Sequence, residues 1–79
     1  MKITVRLFAH FLSHLPNKEG GRESVITLSA GSTIAHLMEH LRLPAELPKV
    51  ILVNGTQKDA KDELYDGDIV SIFPPLGGG

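Results

Sequence analysis

Two sets of residues in this sequence have types and spacings suited to chemistry: the closing run Gly77, Gly78 and Gly79, and four histidines in two pairs, His10/His14 and His36/His40. Glycines bury no side chain and lose the most backbone freedom when ordered, so three in a row suit access: a peptide thin enough for another protein's narrow channel. The last reactive group is then the α-carboxylate of Gly79, and the chemistry open to it is acyl activation. A merely frayed chain end is the plainer alternative. His36-Leu37-Met38-Glu39-His40 matches H-x-x-E-H, a metallopeptidase pattern that sets two histidines one helical turn apart. At about 100° per residue, however, both rings face away from the apolar stripe of the same segment. They should lie on solvent, with no third ligand and no substrate cleft, so no metal site is expected. His10 and His14 repeat the spacing and are assigned a surface role or a role at the exit of the N-terminal strand.

Composition narrows the remaining chemistry. A chain of 79 residues makes one small domain, which buries only about 60% of the surface that its unfolded state exposes. Eight Lys+Arg against nine Asp+Glu leave it near neutral, with no electrostatic footprint for nucleic acid. No segment looks like a leader or a membrane span, so a cytoplasmic protein without membrane partners is expected. Cysteine is absent. That removes disulfides, thiolate metal sites and a thiol nucleophile together. Covalent chemistry must then use another group, and the strongest candidates are the histidines and the terminal carboxylate.

The elements that must position these groups follow from periodicity. Lys2 to Phe8 alternates, with Ile3, Val5 and Leu7 on one face and Lys2, Thr4, Arg6 and Phe8 on the other, the period of a half-buried strand. His10 to Leu15 has no clear period, and Pro16 to Arg22, with its Gly20-Gly21 pair, reads as a long loop. Val25 to Leu28 is a second strand, making a hairpin with the first. Ser32 or Thr33 caps a helix whose Ile34, Leu37, Met38 and Leu41 form one apolar stripe, and Pro44 and Pro48 are expected to end it. Val50 to Val53 is a third strand turning at Asn54-Gly55 into a short fourth. Asp66-Gly67-Asp68 is a turn before the last strand, Ile69 to Phe73, which prolines terminate. One helix laid across a mixed sheet buries its stripe against the inward strand residues, so the fold class is α+β, two layers, with the architecture of a ubiquitin-like β-grasp. The domain spans 1–73, and 74–79 form a flexible Pro-Pro-Leu-Gly-Gly-Gly tail.

Val5-Arg6-Leu7-Phe8-Ala9, Val53-Asn54-Gly55 and the stretch from Leu64-Tyr65-Asp66-Gly67-Asp68 through Phe73-Pro74-Pro75 to the terminal glycines resemble the MoaD/ThiS sulfur-carrier family, nearer its MoaD side. The resemblance spans almost the whole chain. It implies a non-catalytic carrier whose Gly79 carboxylate is adenylated by an E1-like enzyme using ATP and Mg²⁺, then converted to a thiocarboxylate that donates sulfur. The implied partners are that E1-like enzyme, a sulfur donor, and a sulfur acceptor such as the large subunit of molybdopterin synthase. Thiazole, cysteine and homocysteine routes remain alternatives, as does a ubiquitin-like modifier joined to lysines. Phe73-Pro74-Pro75 favours the molybdopterin side, whereas His10 to His14 and the loop Pro16 to Arg22 depart from its usual pattern.

The implied chemistry is physically coherent. Oxide is a poor leaving group, so a carboxylate must be activated before sulfur can replace oxygen, and attack on the α-phosphorus of ATP supplies AMP as the leaving group. The chain has no Walker-type loop, so the partner supplies the phosphoryl-transfer site. Residues 74–79 extend roughly 20 Å at ~3.3 Å each, enough to place the carboxylate inside a partner while the body stays outside. Gly78 and Gly79 should thread deepest and Gly77 act as a spacer; members of the family commonly end in two glycines, so the third moves the register by one residue and leaves open which pair is clamped. Phe8 and Phe73 point outward near the root of the tail and, with Ile69, Pro74, Pro75 and Leu76, make a candidate docking patch, with Arg6 at its rim. The alternative is that a loop covers the two rings. The Asp66-Gly67-Asp68 turn is given no catalytic part.

Overall fold

The computed structural model describes residues 1–15, 21–44 and 46–75. The alternation at the N-terminus builds β1 (Lys2–Leu7) with Ile3, Val5 and Leu7 fully buried. The strand stops one residue short of the sequence expectation: Phe8 stays extended, but it caps a 3-10 helix over Ala9–His14. That helix carries Phe11 into the core, followed by Leu15. β2 runs Glu23–Thr27, beginning before and ending before the expected Val25 to Leu28, and pairs antiparallel with β1 in the register Ile3↔Ile26 and Thr4↔Val25.

Helix α1 spans Ile34–Leu41 and buries Ile34, Leu37, Met38 and Leu41. Its first-turn N–H groups all find acceptors. Thr33 is the N-cap, its hydroxyl accepting from His36 N at 3.4 Å while its own N–H donates to His36 Nδ1 at 2.9 Å, a capping box with histidine in the place of the usual Glu. Ile34 N donates to Asp62 O at 3.0 Å and Ala35 N to Ala60 O at 2.8 Å, so the polar segment after β4 serves as the helix's second cap. The far end corrects an expectation. Arg42, not Pro44, terminates α1: it sits in the left-handed region at φ 60, and Arg42 N and Leu43 N return to Glu39 O and Met38 O.

β3 (Val50–Val53) turns through Asn54 and Gly55, both at positive φ (51 and 87), into the two-residue β4 (Thr56–Gln57). Positive φ at both central positions is what a type I′ hairpin turn requires, and Asn-Gly is its preferred pair. β5 (Ile69–Phe73) closes a five-stranded sheet of order β2-β1-β5-β3-β4, parallel to β1 and antiparallel to β3. The inner face stacks Val5, Val70 and Val53 in one row and Leu7, Ile72 and Ile51 in the next, and the helix stripe completes a single apolar core. This mixed sheet with one helix is a ubiquitin-like β-grasp. No helix among the described residues is long and apolar enough to cross a membrane.

Candidate functional site

Parallel pairing of β1 with β5 is what assembles the site. With Arg6 beside Ser71 and Leu7 beside Ile72, the next residues outward, Phe8 and Phe73, arrive side by side at the end of the sheet. Their rings stack with centroids 4.6 Å apart and planes 14° from parallel. Each is therefore half-buried by the other rather than fully exposed. Offset stacking of this kind contributes about 0.5–1.5 kcal/mol beyond the area it buries. Pro74 continues from the stacked ring half-buried, and Pro75 is exposed. The stack therefore anchors the last described residues against the body, directly before the tail. Leu76, Gly77, Gly78 and Gly79 lie outside the described residues.

The remaining outward residues extend the patch along the sheet. Ile69 lies opposite Thr4 and is 37% exposed, on the same face as Ser71 and Phe73. Val50, paired with Phe73, and Leu52, paired with Ser71, are half-buried neighbours that the sequence reading did not single out. Their signal was present, since both alternate with the buried Ile51 and Val53. The five residues expected to dock and placed by the structure do not form one cluster: Phe8, Phe73, Pro74 and Pro75 gather at the tail root, and Ile69 stands at the other end of β5. On the β1 side, an open groove of about 680 Å³ is lined by Arg6, Phe8, Leu12, Gly21, Arg22 and Glu23. Arg6 Nε approaches Glu23 Oε1 at 3.7 Å, with both side chains nearly half exposed. Such a pair is worth little to stability and stays available to a partner.

The signature turn residues have a structural task instead. Asp68 accepts from Asn54 Nδ2 and from Tyr65 N, both at 2.9 Å, while Asn54 Oδ1 accepts from Ile69 N at 3.0 Å. Asp66 Oδ1 accepts from Lys2 N at 2.7 Å, and Gly67 N returns a bond to Lys2 O at 2.9 Å. Two turns distant in sequence are thus pinned to one another and to the start of β1. The clasp sets where β5 begins, and so which residue of β5 reaches the tail root.

The histidines divide differently from their spacing. His36 and His40 are exposed, and His36 Nδ1 is taken up by the helix cap. Of the other pair, His10 is exposed, but His14 is half-buried with Nδ1 donating to Leu41 O at 3.2 Å, at the C-terminal end of α1. Its position just after β1 ties the 3-10 helix to α1, so of the two expected roles a purely surface one does not fit His14. Among the described residues no group of three or more His, Asp or Glu is arranged to hold a metal ion. Lys49, where β3 begins, donates to Pro44 O and Leu47 O, and desolvation draws its pKa below the ordinary lysine value against the opposing charge of Glu46.

Comparison with known proteins gives a family and a set of folds. The model of the ThiS family matches residues 5–79. No curated protein matches the chain. Among solved structures, a putative molybdopterin converting factor, subunit 1, from Pyrococcus furiosus is 28% identical, with 96% of this chain and 99% of that one covered and a TM-score of 0.75. Subunits 1 and 2 of molybdopterin-converting factor from Helicobacter pylori form a complex in which the matching chain is 24% identical, with both chains fully covered and a TM-score of 0.65. The small archaeal modifier protein 1 of H. volcanii is 18% identical, covering 95% of this chain and 98% of that one, with a TM-score of 0.75. The last two likenesses concern the fold alone.

Proposed function

The chain belongs to the ThiS family, that is, to the MoaD/ThiS group of small ubiquitin-like sulfur carriers, and from that premise we propose that it carries sulfur as a thiocarboxylate on Gly79. The observation that carries this reading is the family match, which runs through residue 79 and so takes in the glycine tail. The stacked Phe8–Phe73 pair supports it by giving the tail a fixed root.

The body of the domain, residues 1–73, is a handle, and residues 74–79 are the working arm. Phe8, Phe73, Pro74, Pro75 and Leu76 meet the partner's surface, and Ile69 extends the contact along β5. Gly77, Gly78 and Gly79 enter its channel, where a Cβ would collide with the walls. An E1-like partner supplies ATP, Mg²⁺ and the cations that hold the phosphoryl charge, since the sequence carries no Walker-type loop. The Gly79 carboxylate attacks the α-phosphorus and expels pyrophosphate. Sulfide then displaces AMP and leaves a thiocarboxylate on the carrier; where a persulfide is the donor, its attack gives an acyl persulfide, and a second thiol of the donor protein cleaves the S–S bond, forming a disulfide there and releasing the thiocarboxylate. The carrier itself contributes no catalytic group.

The acceptor that fits best is a molybdopterin synthase large subunit. The 28% identity to a putative subunit 1 of molybdopterin converting factor supports this choice, as does the Phe73-Pro74-Pro75 sequence. Co-purification of the native chain is the test. Recovery of a molybdopterin-synthase large subunit, with binding lost when one residue is added after Gly79, is the expected outcome. Recovery of a different sulfurtransferase in its place would overturn the acceptor, and unchanged activity after the extension would overturn the tail's role altogether.

A further inference from the structure

The sheet ends in two edge strands, β2 and β4, and they are guarded unequally. β4 is only two residues long, and a very short edge strand offers little for another chain to pair with. β2 runs five residues, Glu23-Ser24-Val25-Ile26-Thr27, in continuous register with β1. It contains no lysine, no proline and no bulge, the devices that normally blunt an edge.

The hydrogen-bond phase of the β1–β2 ladder shows which groups are open. The Met1 ammonium donates to Leu28 O at 2.7 Å, Leu28 N to Met1 O at 2.9 Å, and Leu7 N to Arg22 O at 3.1 Å. Bonded and non-bonded pairs alternate along an antiparallel ladder, so Ser24 and Ile26 turn their main-chain groups toward β1. Glu23, Val25 and Thr27 turn theirs outward. The Val25 side chain, opposite Thr4 on the outer face, is 63% exposed.

We propose that β2 pairs antiparallel with β2 of a second copy of this chain, about a two-fold axis through Val25. That register sets Val25 against Val25 of the second copy and Glu23 against its Thr27, each pair exchanging two N–H···O=C bonds. The strand is self-complementary in this arrangement. Its single charge faces threonine rather than another glutamate, and Arg6 already lies beside that charge on its own chain. A β-branched pair meets at the centre, a favourable cross-strand contact. Shifting by one residue would present main-chain groups already bonded to β1 and turn the apolar faces the wrong way. Five residues a side is far below the ~20–30 of a standard stable interface, so the dimer is weak and forms only at high protein concentration. β1 stands between β2 and β5, so self-pairing leaves the tail root accessible.

Amide-resolved NMR over a dilution series from ~1 mM, with sedimentation equilibrium on the same samples, tests the proposal. The expected result is reversible dimerisation with shifts largest at the amides of Glu23, Val25 and Thr27 and small at Ser24 and Ile26. Val25→Lys, at an exposed position, should retain the fold by circular dichroism and weaken association by on the order of tenfold or more; Thr27→Lys should act in the same direction. A chain that stays monomeric throughout overturns the proposal. So do shifts centred on Phe8 and Phe73, or an edge that pairs only with an added foreign peptide.

Discussion

Replacing Asp68 with alanine isolates the clasp from the chemistry. The carboxylate accepts from Asn54 Nδ2 and Tyr65 N at 2.9 Å each, and its residue is half-buried. Hydrogen bonds to a charged group contribute about 1.5–3 kcal/mol each when well protected. Discounting for the partial exposure leaves about 2 kcal/mol for the two together. Asn54 would also lose the contact that orients it toward Ile69 N. A domain of this size has roughly 4–12 kcal/mol of stability in total, so the loss is a large fraction. With a urea dependence of about 1 kcal/mol per molar, the unfolding midpoint of Asp68→Ala should fall by about 2 M. Asp68→Asn retains one acceptor and should lose about half as much. Below its midpoint, Asp68→Ala should still be adenylated at the native rate, because no atom of the clasp enters the reaction. A midpoint shift under about 0.5 M, or a folded Asp68→Ala that is not adenylated, would refute this division between scaffold and chemistry.

Arg42→Gly should raise stability by about 1 kcal/mol in the same urea assay, because glycine adopts the left-handed conformation at φ 60 without steric cost. Thr33→Ala should lower it by about 1 kcal/mol, since the hydroxyl that accepts from His36 N is lost. A double-mutant cycle of Phe8→Ala and Phe73→Ala should give a coupling of about 0.5–1.5 kcal/mol, and a coupling near zero would mean that the stacked rings contribute only as separate apolar groups.

The limits of legibility follow from where the information resides. Ile69–Phe73, Val50–Val53 and the stripe of α1 were readable because burial on one side imposes a period, and Asn54-Gly55 because its backbone needs positive φ. Phe8 and Phe73 were each placed outward from alternation alone, but their stacking depends on the parallel β1–β5 pairing, a contact between opposite ends of the chain. The 3-10 helix over Ala9–His14 has no period to detect, and it begins at an alanine with φ 55, a residue type that does not advertise that conformation. Arg42 ends α1 by the same kind of exception, and His36 takes a capping role ordinarily filled by Glu or Gln. β2 begins two residues before its apolar run because Glu23 and Ser24 lie on an edge strand, where polar residues are compatible with pairing on one side only.

Sulfur transfer by this carrier would turn on one group, the carboxylate of Gly79. Intact mass spectrometry after incubation with the E1-like partner, ATP, Mg²⁺ and a sulfur source should show one oxygen replaced by sulfur, located by fragmentation to Gly79 and absent when ATP is omitted. An unchanged mass in a reaction where the partner is active on its own carrier, or the appearance of lysine-branched adducts in place of the sulfur-substituted species, would contradict the account.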